Sequence, residues 1–244
     1  MKKETISFNE TGLFSKLICD FVNKDLGVKP LISSFFNKES VNSSFQKKSA
    51  KNRLILCSVL KEQYSHTSFM NPDLSHMYSN IDAISKHNTY TVTTGHQLNI
   101  FAGPLFLIYK ILSVISYTNY LNQNINQYQF VPCFWMATED HDLHEINNLK
   151  LYNKTYSSNL ELKNCVGDLL SKPILKTLVT IKKLLNTSEY GEELYNIYEY
   201  AYKENLNYAN ATRSLLTTLF GDYGLVVIDG NNTHLKRIFI PDFN

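Results

Sequence analysis

The amino-acid sequence predicts an α/β fold in which helices cover a parallel sheet, and three observations carry that prediction. Residues 89–93 are β-branched and aromatic and stop at Gly95, as a short buried strand does. A long apolar helix is expected from Gly103-Pro104 onward, followed by a second buried strand at residues 133–137. Residues 225–229, Leu-Val-Val-Ile-Asp, form a further continuous apolar run that ends in Asp-Gly. Strand, helix and strand in this order make a βαβ unit, which packs right-handed and brings both strand ends to one edge of the sheet. In open α/β sheets that edge is where ligands bind.

Composition narrows the class. The 244 residues suffice for one large α/β domain or two small ones, and a hydrophobic content of 43% fits a globular chain. With 24 Lys+Arg against 22 Asp+Glu the net charge is +2, and no basic block marks a nucleic-acid footprint. Cys19, Cys57, Cys133 and Cys165 lie far apart without a CxxC pair, and the Met1-Lys2-Lys3-Glu4 start is unlike a secretory leader. Both features point to a reducing cytoplasm. The long apolar run at residues 100–121 carries Lys110, Asn119 and several Ser and Tyr residues, so it is expected as a buried helix and not as a membrane span.

Up to about residue 87 the pattern is helical. Leu13, Phe14, Leu17, Ile18 and Phe21 recur at helical spacing, as do Leu54, Ile55, Val59 and Leu60, and then Leu74, Met77, Ile81 and Ile84. These three helices are expected to cover the sheet, the last starting at Asn71-Pro72-Asp73. Thr89 opens the first strand. In the helix after Gly103-Pro104, with proline at its first position, Leu105, Ile108, Leu112 and Ile115 form one stripe, and Leu107, Ile111 and Val114 make the opposite side apolar. That is the pattern of a helix sandwiched between layers. Pro132 cannot donate to a ladder, so the regular part of the second strand is expected to start at Cys133. Leu149, Leu151, Tyr152, Leu160 and Leu162 then alternate roughly with polar residues, and Cys165-Val166-Gly167-Asp168 reads as a turn, which suggests an inserted β-hairpin. Helices follow around residues 174–185, 192–202 and 206–220, the last stopped by Gly221 and Gly224. The chain therefore divides into a first core part with N-terminal helices at residues 1–147, an inserted connecting segment at 148–204, and a return to the core at 205–244.

Chemistry concentrates at two strand ends. Thr94, Gly95, His96, Gln97 and Asn99, with Gly103 and Pro104 behind them, form a strand–loop–helix crossing of the kind that binds anions, because a helix start offers unpaired N–H groups and a positive dipole end. It matches neither GxGxxG nor GxxxxGK[ST], and a structural turn carrying a surface histidine explains it about as well. Residues 139–145 pack Glu139, Asp140, His141, Asp142, His144 and Glu145 into seven positions. Such clustering separates pKa values, as acid–base or amine-binding sites require. Asp142 and Glu145 also fit a helix capping box, which leaves Glu139, Asp140 and His141 unexplained. His141 with His144 or Glu145 shares a helical face, so a metal-dependent hydrolase with a third ligand such as His96 is an alternative; HExxH is absent and no ligand set is assigned. Trp135, Phe134 and Met136 are expected in the core, with a pocket-lining strand neighbour as the alternative, and Cys133 as an inert thiol; Lys110 either seeks the surface, the default, or points at the ligand, and Asn210, Thr212 and Arg213 either lie on a solvated face, the commoner case, or face the site.

TGHQxxxFxGPLFxIYKILS from Thr94 and VPCFWMATEDHDxxEIN from Val131 resemble the signature blocks of the cysteine ligases of bacillithiol biosynthesis, the BshC family. FGDYGLVVID from Phe220 and LKRIF from Leu235 extend the resemblance. It implies a Rossmann-like parallel-sheet core with helices on both faces, an inserted connecting segment, and a C-terminal coiled coil that mediates dimerisation and is absent from these residues. It also implies the reaction, in which the cysteine carboxyl is joined to the amine of glucosaminyl-malate. A carboxylate is a poor acyl donor, so ATP or another nucleotide, with Mg accompanying it, is expected as activator. The resemblance places Thr94, Gly95, His96, Gln97, Asn99, Gly103, Pro104 and Thr138 near nucleotide or substrate, and Glu139, Asp140, His141 and Asp142 at the attacking amine. No HxGH or KMSKS-like sequence is present, TGHQ holding the analogous strand-end place. A third reading is a non-catalytic nucleotide- or sugar-binding fragment. Neither nucleic acid nor membrane is expected as a partner.

Overall fold

The computed structural model describes residues 4–35, 52–70, 73–162 and 164–243. The chain forms two compact units, Met1–Ala50 and Lys51–Asn244. Of the expected Asn71-Pro72-Asp73 helix start, Asn71 and Pro72 lie outside the described residues.

In the first unit, α1 (Phe8–Thr11) opens on a reciprocal capping box between Ser7 and Glu10, and α2 (Lys16–Val22) on the Ser15 hydroxyl, which accepts from the Ile18 N–H. A 3-10 turn follows at Leu26–Leu31. Leu13, Phe14, Leu17, Ile18 and Phe21 are all exposed, so the first apolar stripe builds no core within this unit. Leu13 and Phe14 precede α2, and the two turns of that helix present too short a stripe to build a core.

The second unit holds the sheet. In chain order it comprises α3 (Arg53–Ser65), α4 (Ser75–Ile84), β1 (Thr89–His96), α5 (Leu105–Asn124), β2 (Gln129–Met136), α6 (Leu143–Ile146), β3 (Asn148–Leu151), β4 (Lys154–Ser157), α7 (Ile174–Leu185), α8 (Gly191–Glu204), α9 (Tyr208–Phe220), β5 (Val226–Asp229) and α10 (Thr233–Arg237). The strand order is β1-β2-β5, and both pairings are parallel. Alternation along the strands sorts side chains to two faces. Val131, Cys133, Val226 and Ile228 pack under Leu60 and Tyr64 of α3 and Met77 and Ile81 of α4. Phe134, Met136 and Val227 face the other way, against Leu107 and Ile111 of α5 and Leu215 of α9. This is the helix-on-both-faces α/β arrangement expected of the sequence.

Four details differ from expectation. The second strand runs through Pro132 instead of starting after it. The bonds from the Gln129 and Ala137 N–H groups to the Asn88 and His96 carbonyls show that odd residues of β2 face β1. Pro132 is even, so its missing donor points toward β5, whose pairing begins only at Cys133 opposite Val226. The helix α5 is not sandwiched: Leu107, Ile111 and Ile115 are buried, but Leu105, Phe106, Tyr109 and Leu112 are exposed. Pro104 is its N-cap residue and not its first helical one. Finally, the hairpin β3–β4 turns at Tyr152 and Asn153, both left-handed, while Val166–Asp168 forms a separate 3-10 turn.

The outer edge of β5 is sealed by side chains of α3. The Val227 N–H donates to the Tyr64 hydroxyl at 2.9 Å, and the Gln63 amide both accepts from the Asp229 N–H at 3.1 Å and donates to the Asp229 carbonyl at 2.9 Å. Gln63 thereby supplies the donor and acceptor that a neighbouring strand would have supplied. Replacing Tyr64 with Phe strands the buried Val227 N–H, and we expect a loss of about 1–3 kcal/mol, read as a lower urea midpoint at unchanged slope. A midpoint equal to that of the parent would show that this bond does not hold the edge.

Candidate functional site

β1, β2 and β5 end at one edge, where His96 lies opposite Met136 and Met136 opposite Asp229. The two polar clusters therefore leave from adjacent strands, and the Ala137 N–H donates to the His96 carbonyl at 3.1 Å.

The segment after β1 is anchored in the core. Leu98, Ile100, Phe101 and Ala102 are buried, and the Phe101 N–H donates to the Tyr202 hydroxyl at 2.8 Å. Phe101 and Ala102 both hold left-handed φ values, 58° and 53°, a conformation that costs a non-glycine residue on the order of 1 kcal/mol or more. Tight packing and the Tyr202 bond hold the loop in place, and His96 and Gln97 remain half-buried at its start. Nδ1 of His96 lies 3.2 Å from the Gln97 carbonyl. Asn99 donates through Nδ2 to the Glu145 carbonyl at 3.1 Å, which ties this loop to α6. Its buried Oδ1 has no hydrogen-bond partner.

Gly95 has a packing reason to be glycine, because a Cβ there would stand 3.1 Å from the Trp135 carbonyl oxygen. Gly103 and Pro104 lead into α5, which starts with no side-chain cap, so its first N–H groups are available. Lys110 does not seek the surface. Its ammonium turns back along α5 and donates to the Gly95 carbonyl, with the Phe106 ring 5.5 Å away.

The acidic loop is partly spent on its own geometry. Asp140 accepts from the His141 and Asp142 N–H groups at 2.7 and 3.2 Å, and Asp142 caps α6 by accepting from the Glu145 N–H at 3.1 Å. Glu139 and His141 are exposed at its tip. The 3-10 turn at Val166–Asp168 clasps the loop from outside: the Val166 N–H donates to the Asp140 carbonyl at 2.9 Å and the Gly167 N–H to the Thr138 carbonyl at 3.0 Å. Gly167 has no room for a side chain, since a Cβ would fall 2.8 Å from that of Thr138.

Thr138 is fully buried and donates its hydroxyl to Oδ1 of Asp229, which also accepts from the Asn231 N–H at 2.9 Å. Behind Asp229 stands Arg213. Its guanidinium lies 4.0 Å from Oδ2 and donates to Asn210 at 2.8 Å, Thr67 at 3.1 Å and Gln63 at 3.1 Å. Arg213 and Thr212 are 1% and 4% exposed, so the solvated face expected for them is wrong: α9 lies inside the unit, and the Arg213 charge is met by side-chain and backbone oxygens. Burial pulls its pKa down, while Tyr64 and Asp229 oppose that shift. Trp135 is not core either. It is 40% exposed, at the end of β2 where the covering helices have stopped, and a Cβ on Gly230 would collide with its ring. Among the described residues, no three His, Cys, Asp or Glu side chains come close enough to hold a metal ion.

A family model described as "Bacillithiol biosynthesis BshC, N-terminal Rossmann-like domain" matches residues 1–244. The chain belongs to the BshC family. A Flavobacterium psychrophilum protein named "Putative cysteine ligase BshC" is 40% identical over 99% of this chain and 46% of its own length. A protein of the same name from Flavobacterium johnsoniae is 38% identical with the same coverage, and one from Bacillus cytotoxicus is 26% identical over 67% of this chain and 32% of its own. The chain thus spans about half the length of the Flavobacterium relatives. No helix among the described residues is long and apolar enough to cross a membrane.

On this BshC-family domain, the block from Thr94 covers the end of β1, the pinned loop and α5, and the block from Val131 covers β2, the acidic loop and α6. Arg213, Asp229, Gln63 and the exposed Trp135 complete the edge; Asp229 and Gln63 were not singled out from the sequence, whereas Arg213 was weighed there as a residue facing the site. Asp229 had a legible signal, since it ends an apolar strand as Thr94 and Glu139 do.

Replacing Asp229 with Ala leaves the Thr138 hydroxyl and the Asn231 N–H without their acceptor and the buried Arg213 without its nearby carboxylate. We expect a loss of about 2–4 kcal/mol in urea denaturation, and a smaller one for Asp229→Asn. Cys133 is buried, and burial pushes its thiol pKa far up. It should stay unmodified by a thiol reagent at pH 8 in the folded chain and react once the chain is unfolded; rapid labelling of the native protein would contradict this placement.

Proposed function

We propose that this chain forms part of the active site of a ligase that joins the carboxyl of cysteine to the amine of glucosaminyl-malate. The observation that carries the reading is the pairing, on one sheet edge, of a donor-rich strand end with an acidic loop, in a chain of the BshC family. The first set comprises Lys110 and the uncapped start of α5, which suit the negative charge of a carboxylate or phosphate. The second comprises Glu139, Asp140, His141 and Asp142, which suit an ammonium group and its deprotonation. Two opposite charge preferences side by side are what an acyl acceptor amine and an activated carboxyl need.

The chemistry requires the carboxylate to become an acyl adenylate, with pyrophosphate leaving, or an acyl phosphate, with ADP leaving. The amine then attacks the carbonyl carbon, loses a proton, and expels AMP or phosphate. ATP is the nucleotide proposed, with Mg accompanying it, and Lys110 and the α5 N–H groups are the residues that fit its phosphates. His96 lies at the end of β1, beside the acidic loop, and is placed to contact the reacting carboxyl.

Deleting the full-length gene should abolish bacillithiol and let glucosaminyl-malate accumulate, as read by mass spectrometry; unchanged thiol levels would refute the ligase reading. In the full-length enzyme, His141→Ala should lower the ligation rate by about 100-fold or more at an unchanged melting point, and Lys110→Ala should do so with a small drop in melting point, because it also frees the Gly95 carbonyl. Trp135 is the sole tryptophan, so its fluorescence on titration with ATP, cysteine and glucosaminyl-malate reports binding separately from turnover. Binding without product in the full-length enzyme would favour a non-catalytic module.

A further inference from the structure

Three segments meet beyond the ends of β2 and β5, and their polar atoms close into a ring. The Thr138 hydroxyl donates to Oδ1 of Asp229, and the same oxygen accepts from the Asn231 N–H at 2.9 Å. The Asn231 amide donates in turn to Sγ of Cys165 at 2.9 Å, and that thiol donates to Oδ2 of Asp168 at 3.2 Å. The 3-10 turn after Cys165 leads back to the start, because the Gly167 N–H donates to the Thr138 carbonyl at 3.0 Å and the Val166 N–H to the Asp140 carbonyl at 2.9 Å. The circuit thus joins the base of the acidic loop, the inserted segment and the residues after β5. It lies out of solvent: Thr138, Cys165, Val166 and Gly167 are all buried. Burial, and after it the Asp168 carboxylate, push the Cys165 thiol pKa up, so the sulfur keeps the proton that it donates.

We propose that Thr138, Cys165 and Asn231 are positioning residues, which hold the acidic loop at the reacting amine through this circuit. The assignment rests on the ligase reading above. Asp140 and Asp142 accept from N–H groups of their own loop and of α6, so their bonds set the shape of the loop and not its place. Among the described residues, the hydrogen bonds that tie residues 138–142 to distant segments are those from Val166 and Gly167 and the one to Asp229. All three belong to the circuit. Cys165 and Asn231 complete it by fixing the turn against the residues after β5. A displacement of about 1 Å at a reacting group can cost on the order of 100-fold in rate. The inserted segment therefore acts on the reaction through the place it gives the loop, although it carries none of the groups assigned to the amine.

Steady-state ligation by the full-length enzyme with ATP, cysteine and glucosaminyl-malate tests it, below the melting point of every variant. Thr138→Val keeps the side-chain shape and removes the donor, and it should lower kcat by about 10- to 100-fold with KM for ATP and cysteine unchanged. Thr138→Ser restores the donor and should recover most of that loss, while Cys165→Ala should lower kcat in the same direction. Amide hydrogen exchange reads the circuit without turnover: in Thr138→Val and in Cys165→Ala the Val166 and Gly167 amides should exchange on the order of 10-fold faster than in the parent. A Thr138→Val enzyme with the parent's kcat would overturn the inference, whatever its melting point. So would a raised KM at unchanged kcat, which would make Thr138 a ligand contact, or unchanged exchange at Val166 and Gly167. A parent enzyme that makes no product would refute the ligase reading and this role with it, whereas a working parent beside an equally fast Thr138→Val refutes the role alone.

Discussion

A parallel strand has main-chain donors and acceptors on both sides, and the need to satisfy them organises this molecule more than any single apolar contact. With three strands, one set of outward groups on β1 and one on β5 must find partners or meet water. α3 meets half of that need with Gln63 and Tyr64, and the same two residues continue inward to the site, because Gln63 also accepts from Arg213 and Arg213 faces Asp229. Asp229 in turn holds Thr138, the residue on which the acidic loop begins. A chain of hydrogen bonds thus runs from the sealed edge of the sheet, through a buried cation, to the loop that carries Glu139 and His141.

That continuity explains why the parts of the site differ in rigidity. The β1 side is fixed by packing, with Leu98, Ile100, Phe101 and Ala102 buried and the left-handed Phe101 tied to Tyr202. The β2 side is fixed at its base by Thr138 and by the Val166–Asp168 turn, while its tip is organised by local bonds of Asp140 and Asp142. Carboxylates that accept main-chain N–H groups are already oriented by those bonds. The exposed Glu139 and His141 are the groups free to adapt.

The sheet strands and most helices were legible because each is marked by period and by breakers, while the strand order β1-β2-β5 came only from the structure. The run at residues 174–185 became α7 without change, and β5 is shorter by one residue than the run at 225–229. Errors arose where a local rule was read without its partner. Pro132 breaks a ladder only on the side its nitrogen faces, and that side is unoccupied at its position. Arg213 reads as a surface residue from its type alone, and only the approach of Gln63, Thr67 and Asp229 from distant parts of the chain makes a buried position tolerable. Trp135 was assigned to the core by size, although it stands at the last turn of the pleat, where Gly230 leaves its ring uncovered by a side chain.

The same distinction bears on the apolar surface of α5. From sequence, a helix apolar on most faces implies two covering layers, and in this structure one layer is present. The exposed residues continue the hydrophobic pattern and do not interrupt it with charge, apart from Lys110, whose ammonium is drawn to the Gly95 carbonyl. On the flank beside β1, main-chain groups of the exposed Thr91 and Thr93 and the apolar side chains of Phe106 and Tyr109 are left to solvent, whereas at β5 the Val227 N–H and both main-chain groups of Asp229 are taken by α3. Two independent kinds of incompleteness, one in main-chain hydrogen bonding and one in apolar burial, therefore coincide beside β1, which is why the sequence pattern of α5 reads as that of a helix with two covering layers.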